Sequence, residues 1–239
     1  MAERVKTRRY ESPRRRAQAA ATRRGILDAA KRLFEQRGYA ATTMAAVAAE
    51  ANVAVKTVYV TVETKSGILR ALWNLLLRGE HDELPIAQQQ VYREVLDEPD
   101  PERQLRLNAR NSRVAKVRIG TIFEVIQSAA RVDPDIEALW GRIQTEYHAN
   151  QRAIVESLEA KKALLPGLSV DRAADILWTL NHPSLWQLLV GERGWTPDDY
   201  ERWCGDLACA QLLGARKNAP MPRSETTVGT EGAESVHRD

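Results

Sequence analysis

T-M-A-A-V-A-A-E-A-N-V-A-V-K-T-V-Y-V-T-V-E-T-K, residues Thr43–Lys65, divides into two short helices around a sharp turn. Thr43 is placed to N-cap the first helix by accepting from an otherwise orphaned backbone N–H. Met44, Val47 and Ala48 follow at helical spacing, while Ala45 and Ala49 leave room for a neighbour. Asn52 stands at the turn; after glycine, it best tolerates the left-handed conformation that ends helices. A second short helix is expected over Ala54–Val60, with Val58 inward and Val55, Lys56, Thr57 and Tyr59 outward. Two helices and a tight turn, the second helix carrying outward contact residues, make a helix-turn-helix, which points to duplex DNA as partner.

The flanking sequence supports that reading. Thr22–Arg37 is a scaffold helix with Ile26, Ala29, Ala30, Leu33 and Phe34 as its apolar stripe and Gly38 as its stop. Lys65 opens a further helix to about Arg78, where a cation opposes the helix dipole unless a phosphate lies opposite it. Charge is divided along the chain. Through Lys65 there are 14 Lys/Arg against 6 Asp/Glu, a net of +8, whereas the remaining 21 and 26 give −5. The polyanion partner therefore belongs to the N-terminal third. Residues 1–21 carry Arg14, Arg15 and Arg16 among other cations and show no apolar period, so a disordered basic arm that reaches phosphates or a minor groove is expected.

The remaining bulk properties exclude several classes. With 239 residues, 44% hydrophobic and 28% charged, the chain can bury a sizeable core and has an ordinary globular composition. Cys204 and Cys209, five apart on one expected helix, make no disulfide framework. Neither an apolar leader nor an 18-residue apolar run is present, and a reducing cytoplasm fits. There is no G-x-S-x-G, Gly-rich phosphate loop, H-E-x-x-H or C-x-x-C, and the four histidines are scattered, so no enzyme activity, metal site or cofactor is expected.

Beyond residue 66 the pattern is helical throughout. Helices are expected over part of His81–Asp97, over Pro101–Asn111 and Ser112–Arg131 as two separate pieces, and over about Ile136–Lys162. Ser169–Val190, interrupted at Pro183, and Pro197–Leu213 follow; residues 215–239 read as a disordered tail. On Ser112–Arg131 the polar stripe is Arg113, Lys116, Gly120, Glu124, Gln127 and Arg131. Arg118 then falls about 200° round the helix from Gly120, among Val114, Ile122 and Val125. A cation there needs a partner: a carboxylate across a packing interface or an anionic group of a ligand.

The sequence I-L-x-A-A-x-x-L-F-x-x-x-G-Y-x-x-T-T over Ile26–Thr43, continued by Val47-Ala48, Ala51, Val53, Thr57-Val58-Tyr59, Val62, Lys65 and Ile68-Leu69, resembles the N-terminal domain of TetR-family transcriptional regulators. The resemblance covers roughly residues 20–70. It departs at Asn52, where the family usually has Gly, at Thr61, where a phosphate-contacting His is usual, and at Val62, where Phe is usual. It implies an all-α fold: a three-helix DNA-binding domain over residues 22–66 joined to a ligand-binding and dimerisation bundle over 67–214. It further implies a homodimer whose final two helices, about 169–213, pair in a four-helix interface, and a small-molecule pocket in the body. Thr43, Val55, Lys56, Thr57, Tyr59, Thr61, Lys65 and the arginines of the arm are the candidate DNA contacts, Lys56 reading guanine and Val55 a thymine methyl. Trp73, Arg118, Ile122, Phe123, Ile126, Trp140, Tyr147 and Trp178 are the candidate pocket residues. The function expected is a repressor released from its operator by a small apolar or aromatic effector; the alternative is a constitutive DNA-binding protein whose body only dimerises.

Overall fold

The computed structural model describes residues 13–78 and 88–213, and every described element is helical or a turn. Residues 1–12 of the arm expected over 1–21, the start of the helix expected within His81–Asp97 and the tail expected over 215–239 lie outside the described residues. The elements are α1 (Pro13–Ala41), α2 (Met44–Glu50), α3 (Val55–Val62), α4 (Lys65–Arg78), α5 (Gln90–Asp97), α6 (Pro101–Ala129) and α7 (Pro134–Ala160). After them come α8 (Val170–Leu180), α9 (Pro183–Trp186), which runs on into a π-helical turn at Gln187–Glu192, and α10 (Pro197–Leu212).

Helix α1 starts earlier than expected. Pro13–Ala21 is helix, so Arg14, Arg15 and Arg16 ride on α1 instead of a disordered arm. The run R-R-R-A-Q-A-A-A has high helix propensity and follows a proline suited to a first turn, which suffices without an apolar stripe. At Gly38 the backbone turns to φ 74°, outside the helical region. One further turn reaches Ala41, tied by the buried Thr42 hydroxyl donating to the Gly38 carbonyl at 2.8 Å. Thr43 then caps α2, its Oγ1 accepting from Ala46 N at 3.1 Å. Asn52 adopts φ 52°, and α2 and α3 meet at 109°, within the ~90–120° of a helix-turn-helix.

The close of that unit depends on Gly67. A β-carbon there would lie 2.3 Å from the Val62 carbonyl oxygen, so only glycine lets the first turn of α4 abut the end of α3. Ile26, Leu33, Phe34, Val47, Val58 and Leu69 fill the core between α1 and α4. The same cluster continues without a break into Ile119–Ala129 of α6 and Ile136–Ile143 of α7, so residue 66 marks no gap in the packing.

The body is organised around α6. Asp100 caps it by accepting from Arg103 N at 2.8 Å, and Pro101 opens it. The break expected at Asn111/Ser112 is absent, because no helix breaker stands there and α6 is held by α1, α4, α5, α7, α9 and α10 on its several sides. A second core joins α5, α6, α7, α8 and α10 through Val95, Leu105, Ile154, Leu158, Leu177 and Leu212. On the final two helices, whose surplus of apolar residues (Ile176, Leu177, Leu180, Leu185, Leu188, Leu189, Trp203, Leu207 and Leu212) suggests a subunit interface, Leu177, Leu180 and Leu212 are instead buried within the chain. Ile176, Leu185, Leu189, Trp203 and Leu207 are half-buried and Leu188 is exposed.

Candidate functional site

Two places stand out, one on the outer face of the N-terminal helices and one inside the body. On the first, α3 turns Val58 and Val62 into the core, which leaves Val55, Lys56, Tyr59 and Val60 exposed by helical periodicity. Val60 is the most open of the apolar three at 77%, against 50% for Tyr59 and 42% for Val55, and the sequence reading passed it over. Thr57 and Thr61 are half-buried, and Thr61 Oγ1 donates to the Thr57 carbonyl at 2.7 Å. That bond leaves the Thr61 oxygen free to accept while committing its proton within the helix.

The start of α1 runs beside this face. Arg14, Arg15, Gln18 and Arg23 line a groove with Thr57, Val60 and Thr61, so the cationic stretch and the second helix of the motif form one surface. Arg16 lies on the same exposed turn but outside the groove. Next to it a polar depression joins Arg23 and Thr61 to Arg70 and Asn74 of α4. Arg23, Arg70 and Gln18 were not among the sequence candidates; nothing local distinguishes them, and only the packing of α1 and α4 on α3 brings them together.

Lys65 has a different setting from the one expected. Its ammonium donates to the Tyr39 carbonyl at 3.0 Å and lies 4.1 Å from the centre of the Tyr39 ring. An internal carbonyl and an aromatic face therefore already hold the cation at the start of α4, without a phosphate opposite it. Tyr39 itself reaches the body: its hydroxyl donates to Asp133 Oδ2 at 2.5 Å, while Ser66 Oγ donates to Asp135 Oδ2 at 3.0 Å. Burial and the neighbouring Asp133 push the Tyr39 phenol well above its usual range, so it remains a donor.

The second place is a cavity of about 230 Å³ between α4, α5, α6 and α7. Trp73, Leu76 and Leu77 enter from α4, Tyr92 and Val95 from α5, and Ile143, Tyr147 and Gln151 from α7. From α6 come Asn108, Asn111, Ser112, Lys116, Arg118, Ile119 and Phe123. Of the eight expected pocket residues, Trp73, Arg118, Phe123 and Tyr147 line it. Ile122 and Ile126 do not: both are fully buried in the core on another side of α6. Trp140 packs edge-on against Phe123 at 5.0 Å, behind the wall. Trp178 packs edge-on against His182 at 5.0 Å and also stands outside the lining.

The buried cation of α6 is Lys116, not Arg118. Arg118 is exposed at the cavity rim, whereas Lys116 is 2% exposed. The stripe expected to face solvent turns inward at Lys116 because α10 covers that side. Lys116 Nζ donates to Ser112 Oγ at 2.6 Å and sits 4.9 Å from the centre of the Tyr200 ring. Among the described residues no carboxylate pairs with it, and burial pulls its pKa down to about 7. The amides around it are mutually engaged: Asn108 Nδ2 donates to Gln151 Oε1 at 3.0 Å, and Asn111 Nδ2 to the Val91 carbonyl at 2.9 Å. The Tyr147 hydroxyl donates to the Asn181 carbonyl, which fixes its ring in the wall.

Both cysteines are free, and burial raises the pKa of each thiol, Cys209 to about 11. Among the described residues no group of His, Cys, Asp and Glu is arranged to hold a metal ion, and no single helix is long and apolar enough to cross a membrane.

Comparison with known proteins agrees with this geometry. Residues 26–72 match the family model described as bacterial regulatory proteins, tetR family. No curated protein matches the chain. Among solved structures, SmeT in complex with triclosan is 20% identical, with 86% of this chain and 100% of that one covered at a TM-score of 0.64. NalD, the secondary repressor of the MexAB-OprM multidrug efflux pump in Pseudomonas aeruginosa, is 19% identical over 82% of this chain and 98% of its own, at 0.66. PfmR, a TetR-family transcriptional regulator from Thermus thermophilus, is 21% identical over 80% and 99%, at 0.55. At these identities the structures speak for the fold, and the family model speaks for the N-terminal domain. Residues 26–72 thus form a DNA-binding domain of the kind that the model of the tetR family of bacterial regulatory proteins describes.

Proposed function

We propose that this regulator is a homodimeric repressor that binds an operator through α3 and the start of α1 and releases it when a small molecule fills the cavity in its body. The observation that carries the proposal is the placement of the cavity. Its walls include Trp73, Leu76 and Leu77 of α4, the helix whose other end abuts α3 at Gly67. A ligand that repositions α4 moves α3 with it, and two such helices in a dimer must span about 34–36 Å to meet successive major grooves. A ligand favouring another spacing shifts the population away from the DNA-competent state.

Lys56 is assigned to base edges, Val55 and Val60 to thymine methyls, and Arg14, Arg15, Arg23 and Arg70 to phosphates. Thr43 and Tyr59 flank them as further phosphate contacts, whereas Thr61, its proton held by the Thr57 carbonyl, has none left to donate. The pairing of copies is assigned to α8 and α10 with the turn between them, where Leu188, Leu185 and Trp203 remain partly uncovered. SmeT, whose fold this chain shares, holds triclosan, which is in keeping with a small-molecule effector here. The alternative, a body that only dimerises, calls for a filled core; the cavity favours the sensing reading.

The test is to select bound duplexes from random DNA, then to measure by anisotropy whether small molecules release the selected operator. The expected result is one enriched, two-fold symmetric site and concentration-dependent release by at least one compound. Compounds that bind the body tightly yet leave operator affinity unchanged would refute the release mechanism.

A further inference from the structure

We infer that the effector is a compact organic acid, its apolar body against Trp73 and Phe123 and its anionic group against Lys116. The inference rests on the ligand-sensing reading above and adds the charge of the ligand to it.

The cavity wall is apolar at Trp73, Leu76, Ile119, Phe123 and Ile143, which suits a hydrocarbon or aromatic body. Its volume of about 230 Å³ lies just below the ~300–1,000 Å³ usual for drug-sized ligands, so a small molecule fits better than a long chain. Into this wall comes Lys116, with one acceptor, Ser112 Oγ, for its three N–H donors. An ammonium removed from water without a counter-ion is costly, and an arriving anion that pairs with it relieves that cost.

The surroundings of Lys116 select the sign of that partner. The groups that face it are His182 from the corner before α9 and Tyr200 and Cys204 from α10, while Tyr147 of α7 stands beside its partner Ser112. Burial raises the pKa of the two phenols and the thiol and lowers that of the imidazole, so none of the four supplies a charge near neutral pH. Glu146, the one carboxylate of the described lining, is exposed at the rim, as is Arg118. Among the described residues of the interior, the ionisable group able to meet a ligand charge is a cation, Lys116. Gln89, also in the lining, has its amide nitrogen buried with no partner and offers a further donor. A donor-rich, acceptor-poor interior favours a carboxylate or phenolate and repels an ammonium.

The experiment uses three probes of one shape: 2-naphthoate, 2-naphthamide and 2-naphthylmethylammonium. Their affinities for the full-length protein are measured by calorimetry at pH 7 and, separately, their effect on operator binding. The acid is expected to bind roughly ten- to a hundredfold more tightly than the amide, as one charge-assisted hydrogen bond provides, and the ammonium more weakly than either. In Lys116→Met the acid should lose this advantage while the amide binds as in the wild type, and Lys116→Arg should restore part of it. Equal affinity for acid and amide in the wild type, or an acid preference surviving in Lys116→Met, overturns the inference even if the amide releases DNA, which would leave the sensing reading intact. Tight acid binding without release upholds the inference and refutes the sensing reading. No binding of any probe overturns the inference, and operator release by other compounds would then still decide the reading.

Discussion

The Tyr39 hydroxyl and the Asp133 carboxylate, 2.5 Å apart and 94 residues apart in sequence, join the DNA-binding helices to the start of α7. Tyr39 stands just beyond the Gly38 kink of α1, and its carbonyl also holds Lys65 at the start of α4. Asp133 meanwhile caps α7 with its other oxygen, accepting from Asp135 N at 3.0 Å and Ile136 N at 3.3 Å. One tyrosine therefore ties α1 and α4 to the helix that carries Ile143 and Tyr147 into the cavity wall. A double-mutant cycle tests it. Tyr39→Phe should cost about 1–2 kcal/mol of stability, and Asp133→Ala about 1 kcal/mol more than that, because it also removes the cap. Chemical denaturation should give a coupling energy between them of at least about 0.5 kcal/mol; strictly additive losses would mean that the contact contributes nothing.

The division of labour on the DNA face is separable by specificity and salt. Lys56→Ala should weaken operator binding by about 1–3 kcal/mol and relax the sequence preference, as the base-reading role proposed for it requires. Arg14→Ala and Arg15→Ala should weaken binding to operator and random duplex alike, each lowering the slope of log K against log salt by about one. Anisotropy titrations across salt concentrations on both duplexes separate these outcomes. Equal losses on both duplexes for Lys56→Ala would remove it from base reading.

Lys65→Ala has a double consequence. Loss of its bond to the Tyr39 carbonyl should lower stability by about 1 kcal/mol, and a weaker grip on every DNA sequence should follow from the loosened α1–α4 junction. Thermal melting and binding to random duplex are both read. A variant melting as the wild type but binding less tightly would make Lys65 a direct phosphate contact only.

Gly67→Ala should be harmful out of proportion to its size. The added carbon collides with the backbone oxygen of Val62 at 2.3 Å, and neither element can give way without moving α3 against α4. A cost of about 1–3 kcal/mol in stability is expected, together with loss of operator affinity. A melting temperature equal to the wild type's would show that the junction is looser than the packing indicates.

Stability should depend on pH through Lys116. Its folded-state pKa is pulled down to about 7 by burial, against 10.5 for the free side chain. Below about pH 7 the lysine is protonated in both states and the fold carries the cost of a buried charge. Between about pH 7 and 10.5 the unfolded chain binds a proton that the folded chain has released, so stability rises with pH. His182, lowered by burial and by Lys116, acts in the same direction below its usual 6.5, while Cys204, raised by burial, acts oppositely above 9.0. From about pH 7 to about 9 the wild type should gain up to about 1.4 kcal/mol per pH unit. Lys116→Met should be the more stable at about pH 7 and lack that slope. Parallel denaturation curves for the two proteins across this window would contradict the burial of a bare ammonium.

Local physics was legible in the sequence. Thr43 as a cap, Asn52 in the left-handed region, Gly38 as a stop and Val58 as the inward residue of α3 each depend on a few neighbours, and each appears as the residues dictate. The DNA face follows from them, because a helix with one buried stripe leaves its other residues outside. The start of α1 was misjudged for want of an apolar stripe, although its propensity alone was enough.

What only the tertiary structure decided is which polar residues face water outside and which face a cavity within. Lys116 and Arg118 exchange their expected places because α6 is covered on several sides, and a helical wheel assumes one covered side. Ile122 and Phe123 are equally apolar neighbours, yet only Phe123 reaches the cavity. Tyr39 meets Asp133, and Gly67 meets Val62, by approaches that no spacing encodes. By itself the sequence determined most of the helices, the caps of the helix-turn-helix and the outward face of α3, since these follow from interactions within a few turns. The pocket, its buried cation and the ties between the DNA-binding helices and the body arise from how long helices pack, and packing is settled by the whole chain at once.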